Sequence, residues 1–161
     1  MKRVSLESIK SLREKTGASV GDVRSALEAA GGDEGKAREI LKQQGVETAA
    51  TRKDRATTLG RVESYVHHDG RVGAIVEVNC ETDFVARVPE FQQFCRDVAM
   101  QVASMEPAGP TELLEQPFIK DQGQTIGQYL TLLVAKTGEN IAIRRFKRFA
   151  LGEEITHHCK A

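Results

Sequence analysis

Three groups of residues in this 161-residue sequence carry side chains suited to chemistry. His157, His158 and Cys159 are donors for a soft transition metal. Three adjacent residues do not converge readily on a tetrahedral ion, however, and the end of a chain is a poor frame for one. No metal site is expected, and Cys159 reads as an exposed thiol able to cross-link two chains. Arg144, Arg145, Lys147 and Arg148 form a basic cluster that could meet phosphates. The only interleaved aromatics are Phe146 and Phe149, which match no RNA-binding signature, so a solvated strand face is the plainer reading. The third group is Thr82, Asp83, Phe84 and Val85. An acid beside a large ring makes a poor core pair, because one side chain needs water and the other burial. Two readings stand: a first-turn carboxylate favouring the helix dipole with a Phe tucked inside, or a probe held out for another protein's surface.

Catalysis finds no footing. A Gly-rich phosphate loop, HExxH and a CxxC pair are all missing from the sequence, and no Ser/His/Asp or Cys/His constellation is fixed by spacing. A non-enzyme without a cofactor is expected. Basic and acidic side chains balance at 23 each, so no net field draws the chain to nucleic acid or an anionic membrane. No apolar run approaches the ~18 residues that span a bilayer, and MKRVSLESIK lacks the apolar core of a signal peptide. A soluble, cytoplasmic protein is expected, with no direct nucleic-acid or membrane partner. Cys80, Cys95 and Cys159 are odd in number and far apart, which argues against a disulfide framework. Cys95 falls on an apolar helix stripe and is expected to pack as a small hydrophobe.

The elements that must position these residues follow from periodicity. Ser5, Ser19 and Asp33 sit where helix caps belong, with Asp22 as a capping-box-like partner of Ser19. Gly17, Gly31-Gly32 and Gly45 punctuate the ends. The apolar sets Leu6-Ile9-Leu12, Val23-Ala26-Leu27-Ala30 and Ala37-Ile40-Leu41 each predict one buried face. A three-helix module over 1–45 follows, then a polar helical linker over 46–59. From Gly60 the period becomes two. Runs at 61–67 and 71–79 flank His68-Asp69-Gly70, a hairpin signal. Pro89 opens a helix bearing Phe91, Phe94, Cys95, Val98, Val102 and Met105, and Phe118-Ile119 is ambiguous. Thr125 with Gln128 predicts a capping box for a helix closed by Gly138. Ile141 and Ile143 start a third strand, whose apolar phase slips at Arg144-Arg145, as a bulge would cause. The fold class is α+β: a three-stranded antiparallel sheet packed with helices over 60–152, and a tail over 153–161.

Four stretches, in order, resemble the bacterial elongation factor Ts family. They are Leu12-Arg13-Glu14-Lys15-Thr16-Gly17-Ala18, Ala26 through Asp33, Glu77 through Arg87 with Thr82-Asp83-Phe84-Val85 at its centre, and Gly138-Glu139-Asn140-Ile141 through Phe146. The resemblance implies a ubiquitin-associated-like N-terminal domain followed by an exchange-factor core acting on elongation factor Tu. It implies that Thr82, Asp83, Phe84 and Val85 enter the GTPase domain and dislocate its Mg²⁺. It also implies that the three-helix module docks on the same domain, with Arg13 and Val20 as secondary contacts. Three departures stand out. Val20-Gly21 replaces an apolar pair, Leu59-Gly60 replaces Glu-Gly, and Pro107–Pro110 runs almost directly into Leu113 where longer members carry more chain. A short form with one core unit is expected to be a homodimer. A rival reading, a binding module whose core only scaffolds, leaves Thr82–Val85 and the strand after Gly138 without a role. A hydrolase using His or Cys has no positioned groups behind it.

Overall fold

The computed structural model describes residues 4–153, beginning with three helices. Ser5 caps α1 (Leu6–Thr16) by accepting from the Ser8 amide at 3.0 Å, and Gly17 ends it at a φ of 68°. Ser19 caps α2 (Val20–Ala29) from the Asp22 amide at 3.1 Å, and its hydroxyl also donates to the Asp22 carboxylate at 2.6 Å. Asp33 caps α3 (Glu34–Arg52) from the Lys36 amide at 3.0 Å. Leu12, Val23, Ala26, Leu27 and Ala37 meet in a small core, with Ile9, Ile40 and Leu41 packed at its margin. Leu6 does not join them and is 86% exposed. Two steps of three residues separate it from Leu12, which is about 120° around a helix of 3.6 residues per turn.

The third helix is longer than its glycine punctuation predicts. Gly45 lies inside α3, not at its end, and the helix runs on to Arg52. A Cβ at Gly45 would stand 3.3 Å from the Cβ of Ala135, on a later helix, α7 (Ile126–Thr137). The glycine therefore permits close helix approach and is not a cap. Ala49, in the stretch expected to be linker, packs against the second core. Half of the expected linker is thus the last turns of α3, leaving residues 53–58 as the connection.

The second core is built on an antiparallel sheet ordered β1-β2-β5, comprising β1 (Leu59–Val66), β2 (Val72–Cys80) and β5 (Ile141–Ala150). Gly70, at a φ of 69°, turns the β1–β2 hairpin. Glu77 pairs with Arg145 but Val78 with Ile143, so Arg144 is the bulged residue. That extra residue keeps Ile143 and Phe146 on the same face despite their odd spacing. Pro89 occupies the first turn of α5 (Pro89–Met105), which buries Phe91, Phe94, Cys95, Val98 and Val102 against the sheet. Met105, at the helix's last position, is exposed instead.

After α6 (Pro110–Glu115), the ambiguous segment forms a small ribbon of β3 (Pro117–Phe118) and β4 (Asp121–Thr125). Fully buried Gln101 anchors it by donating to the Pro117 carbonyl at 3.0 Å and accepting from the Ile119 amide at 3.0 Å. Buried Asp97 accepts from Lys120 at 2.7 Å, Gln93 at 2.9 Å and Tyr129 at 3.3 Å. A complete capping box of Thr125 and Gln128 opens α7, and Gly138 closes it. The fold is α+β. Its sheet has one face under α5 and α7, while the other exposes Val62, Val66, Ile75 and Phe149.

Candidate functional site

Strand β2 ends at Cys80, and after Glu81 and Thr82 the chain forms α4 (Asp83–Ala86), a single turn of four residues. Its two sides differ sharply. Val85 is only 4% exposed, and with Ala86 it is fixed in the core, whereas Phe84 is 79% exposed. Of the two sequence readings, the tucked Phe is therefore overturned, because Val85 takes the inward direction at this turn. Asp83 is exposed in the first turn and pairs with Arg87, one helical turn on. The tip offered to solvent is an apolar ring beside a carboxylate.

A clasp beneath the tip holds it. The Thr82 hydroxyl accepts from the Val85 amide at 3.3 Å as an N-cap and donates to Glu139 Oε1 at 2.6 Å. The Thr82 amide donates to Glu139 Oε2 at 3.0 Å. In the opposite direction, Glu81 accepts from the Asn140 amide at 2.6 Å and lies 3.4 Å from Arg55. That amide bond, reinforced by Arg55, holds the Glu81 carboxyl below the usual carboxylate range. The buried Asn140 side chain donates to the carbonyls of Lys53 at 3.1 Å and Arg55 at 2.7 Å. Buried Asn79 similarly holds the Thr57 carbonyl at 3.1 Å. Three segments thus meet under the tip: the exit of β2, the turn before β5, and the connection from α3. Cys80 sits inside this joint with its Sγ 3.1 Å from the Thr82 carbonyl oxygen. Burial, aided by the Glu139 charge, pushes its thiol up to about 11.

Glu81, Arg55, Glu139 and Asn140 escape sequence reasoning as site residues. Thr82 and Glu139 are 57 positions apart, and no periodicity reports such a pairing. The available signal was two polar residues, Glu139 and Asn140, between a helix-closing glycine and an apolar strand. Arg13 and Val20 are both exposed, on α1 and at the first position of α2, within the N-terminal helices and apart from the tip. The basic cluster is largely engaged: Arg144 and Arg145 reach Glu77 at 3.6 and 2.6 Å, and Arg148 binds the Ala103 carbonyl at 3.1 Å. Among the described residues, no group of three or more His, Cys, Asp and Glu side chains is placed to hold a metal. His157, His158 and Cys159 lie outside the described residues.

The family model described as "Elongation factor TS" matches residues 10–108 and again residues 81–159. The chain belongs to the elongation factor Ts family. Among its relatives, the elongation factor Ts of Rubrobacter xylanophilus is 44% identical over 91% of this chain and 98% of that protein. The elongation factor Ts of Carboxydothermus hydrogenoformans is 42% identical over 94% of this chain and 91% of its own. These alignments run over 191 and 197 positions against a chain of 161, so both relatives carry residues that this family member lacks. The elongation factor Ts of Clostridium kluyveri, 43% identical over 94% of this chain, is covered over only 50% of its length. Residues 81–108, which include the tip and α5, fall in both matches to the elongation factor Ts model. Among the described residues, no helix is long and apolar enough to cross a membrane.

Proposed function

We propose that the chain is a guanine nucleotide exchange factor that binds elongation factor Tu–GDP and promotes GDP release in the cytoplasm. The observation that carries this reading is the exposed Phe84 ring on a short helix whose other side is anchored by Val85 and Ala86. GDP on a GTPase is held by backbone N–H groups of a phosphate loop and by Mg²⁺ between the phosphates. A ring entering between helices of the GTPase domain gains roughly 2 kcal/mol from burial, available for moving those helices apart. Asp83 brings a negative charge and two acceptor oxygens toward the metal site, competing for the groups that order it. Thr82 and Val85 serve from behind, one by capping the turn and the other by anchoring it. No bond is made or broken in the substrate, so this is not an enzyme. Each 1.4 kcal/mol of coupling weakens GDP about tenfold, and by linkage GDP or GTP weakens the exchange factor equally, which releases it.

Residues 1–45 serve in this reading as the module that docks on the same GTPase domain through Arg13 and Val20, and residues 60–152 as the exchange core. The long α3 joins them by packing directly on α7 of the core. The chain acts as a homodimer, because the open sheet face exposes Val62, Val66, Ile75 and Phe149 beside the charged Glu77, Arg145 and Lys147, and a second copy related by a two-fold axis can cover those apolar side chains. Nucleic acid and membrane have no direct part.

The decisive experiment follows release of a fluorescent GDP from elongation factor Tu on adding the chain, alongside Asp83→Ala and Phe84→Ala. The parent accelerates release, and Phe84→Ala loses at least about tenfold of that acceleration, as the loss of one buried ring implies. No acceleration by the parent defeats the proposal. Full activity in both variants leaves the exchange reading and removes the wedge.

A further inference from the structure

Resting on the exchange reading, we infer that Glu139 is a positioning residue: its carboxylate, crossed by the Glu81–Asn140 bond, orients the Asp83–Phe84 tip through its hydrogen bonds to Thr82. The argument starts from the size of α4. One turn of four residues cannot sustain itself, since isolated helices become stable only at about 12–15 residues. Val85 and Ala86 fix one side of the turn but leave its N-terminal amides to find acceptors elsewhere.

Glu139 answers both needs at once. By accepting the Thr82 hydroxyl proton at 2.6 Å, it leaves the lone pairs of that oxygen free for the Val85 amide at 3.3 Å. By accepting the Thr82 amide at 3.0 Å, it stops the turn from fraying at its start. Bonds to a carboxylate are shorter and roughly twice as strong as neutral ones. Glu81 returns a bond of 2.6 Å to the Asn140 amide, so the two turns hold each other through bonds pointing in both directions and cannot hinge about one contact. The pair Asp83–Arg87 adds little, because both side chains are well exposed. Through Asn140 and the carbonyls of Lys53 and Arg55, the same joint carries the connection from α3. The tip is thereby set relative to the N-terminal helices as well as to the sheet.

A loosened tip still docks, because Arg13, Val20 and the core surface are untouched. It must then be ordered within the complex before GDP leaves, a step after docking, which lowers the maximal rate and not the concentration dependence. Glu139→Ala and Glu139→Gln are compared with the parent by stopped-flow release of fluorescent GDP. Amide hydrogen exchange is measured on the free chains. Glu139→Ala is expected to lower the maximal release rate about tenfold or more, the weight of a lost charge-assisted pair. Its half-saturating concentration stays near that of the parent, as for an interaction realised only after docking, and amide protection falls at residues 82–87 and not in α5. Glu139→Gln falls between, since its single carbonyl oxygen replaces two carboxylate oxygens.

Parent-like release by Glu139→Ala, or unchanged protection at residues 82–87, overturns the inference. A raised half-saturating concentration at an unchanged maximal rate overturns it too. If Glu139→Ala loses protection throughout α5, Glu139→Gln decides, and full release or full tip protection in that variant overturns the inference. A parent that releases no GDP sinks the exchange reading instead, while amide exchange on the free chain still tests the clasp.

Discussion

Phe84 and Phe94 put the same side chain to opposite uses. Phe94 is fully buried and meets Tyr129 edge-on, with ring centroids 5.0 Å apart at 82°. Phe84 projects from α4 into solvent. Phe94→Ala should cost about 3–5 kcal/mol of stability, the usual range for an emptied aromatic core site. Phe84→Ala should stay within about 0.5 kcal/mol, as for other surface truncations. Urea unfolding of both variants measures the contrast, and a large loss in Phe84→Ala would show the ring to be packed. The sequence marks the difference only through neighbours: Phe94 belongs to a stripe at helical spacing, whereas Phe84 stands next to Asp83.

Helix α3 shows where a local signal and a tertiary requirement share one residue type. Glycine commonly closes a helix because it tolerates the left-handed conformation, and Gly17 and Gly138 do so here. Gly45 has ordinary helical placement and matters for its missing side chain. In an open helix interior, adding a methyl group would gain roughly 0.5–1 kcal/mol. Here Ala135 stands too near for a larger residue. Gly45→Leu is therefore expected to destabilise by about 1–3 kcal/mol, the cost of overpacking. Thermal melting tests this, and an unchanged midpoint would mean that α3 and α7 are free to separate. The turn between α7 and β5 follows the same logic. Its polar residues look like loop composition until Glu139 and Asn140 are seen to reach Thr82 and Glu81.

The whole molecule has one sheet face covered and one open. A three-stranded sheet with Val62, Val66, Ile75 and Phe149 exposed has apolar surface to cover, and each edge strand has unpaired backbone groups besides. Sedimentation of the parent at micromolar concentration should give twice the 17.7 kDa chain mass. Ile75→Asp places a charge at the centre of that face and should yield a folded monomer, because this side chain is already about half exposed in the single chain. A monomeric parent would remove the dimer and leave the exchange proposal standing. The proposed dimer would carry two tips, each able to address its own GTPase.

Periodicity and punctuation made most elements legible: the caps at Ser5, Ser19, Asp33 and Thr125, the helix begun by Pro89, the hairpin at Asp69-Gly70 and the bulge beside Arg145. These are properties of residues three or four positions apart, and a short window of chain contains their causes. The tip was legible as an odd pairing, Asp83 with Phe84, but not the direction of its ring. That direction, the continuation of α3 past Gly45, the exposure of Leu6 and the clasp of Glu139 on Thr82 all depend on what stands opposite in space. Packing partners and hydrogen-bond acceptors from distant segments decide such questions, since burial and pairing are properties of three-dimensional neighbours and carry no period along the chain.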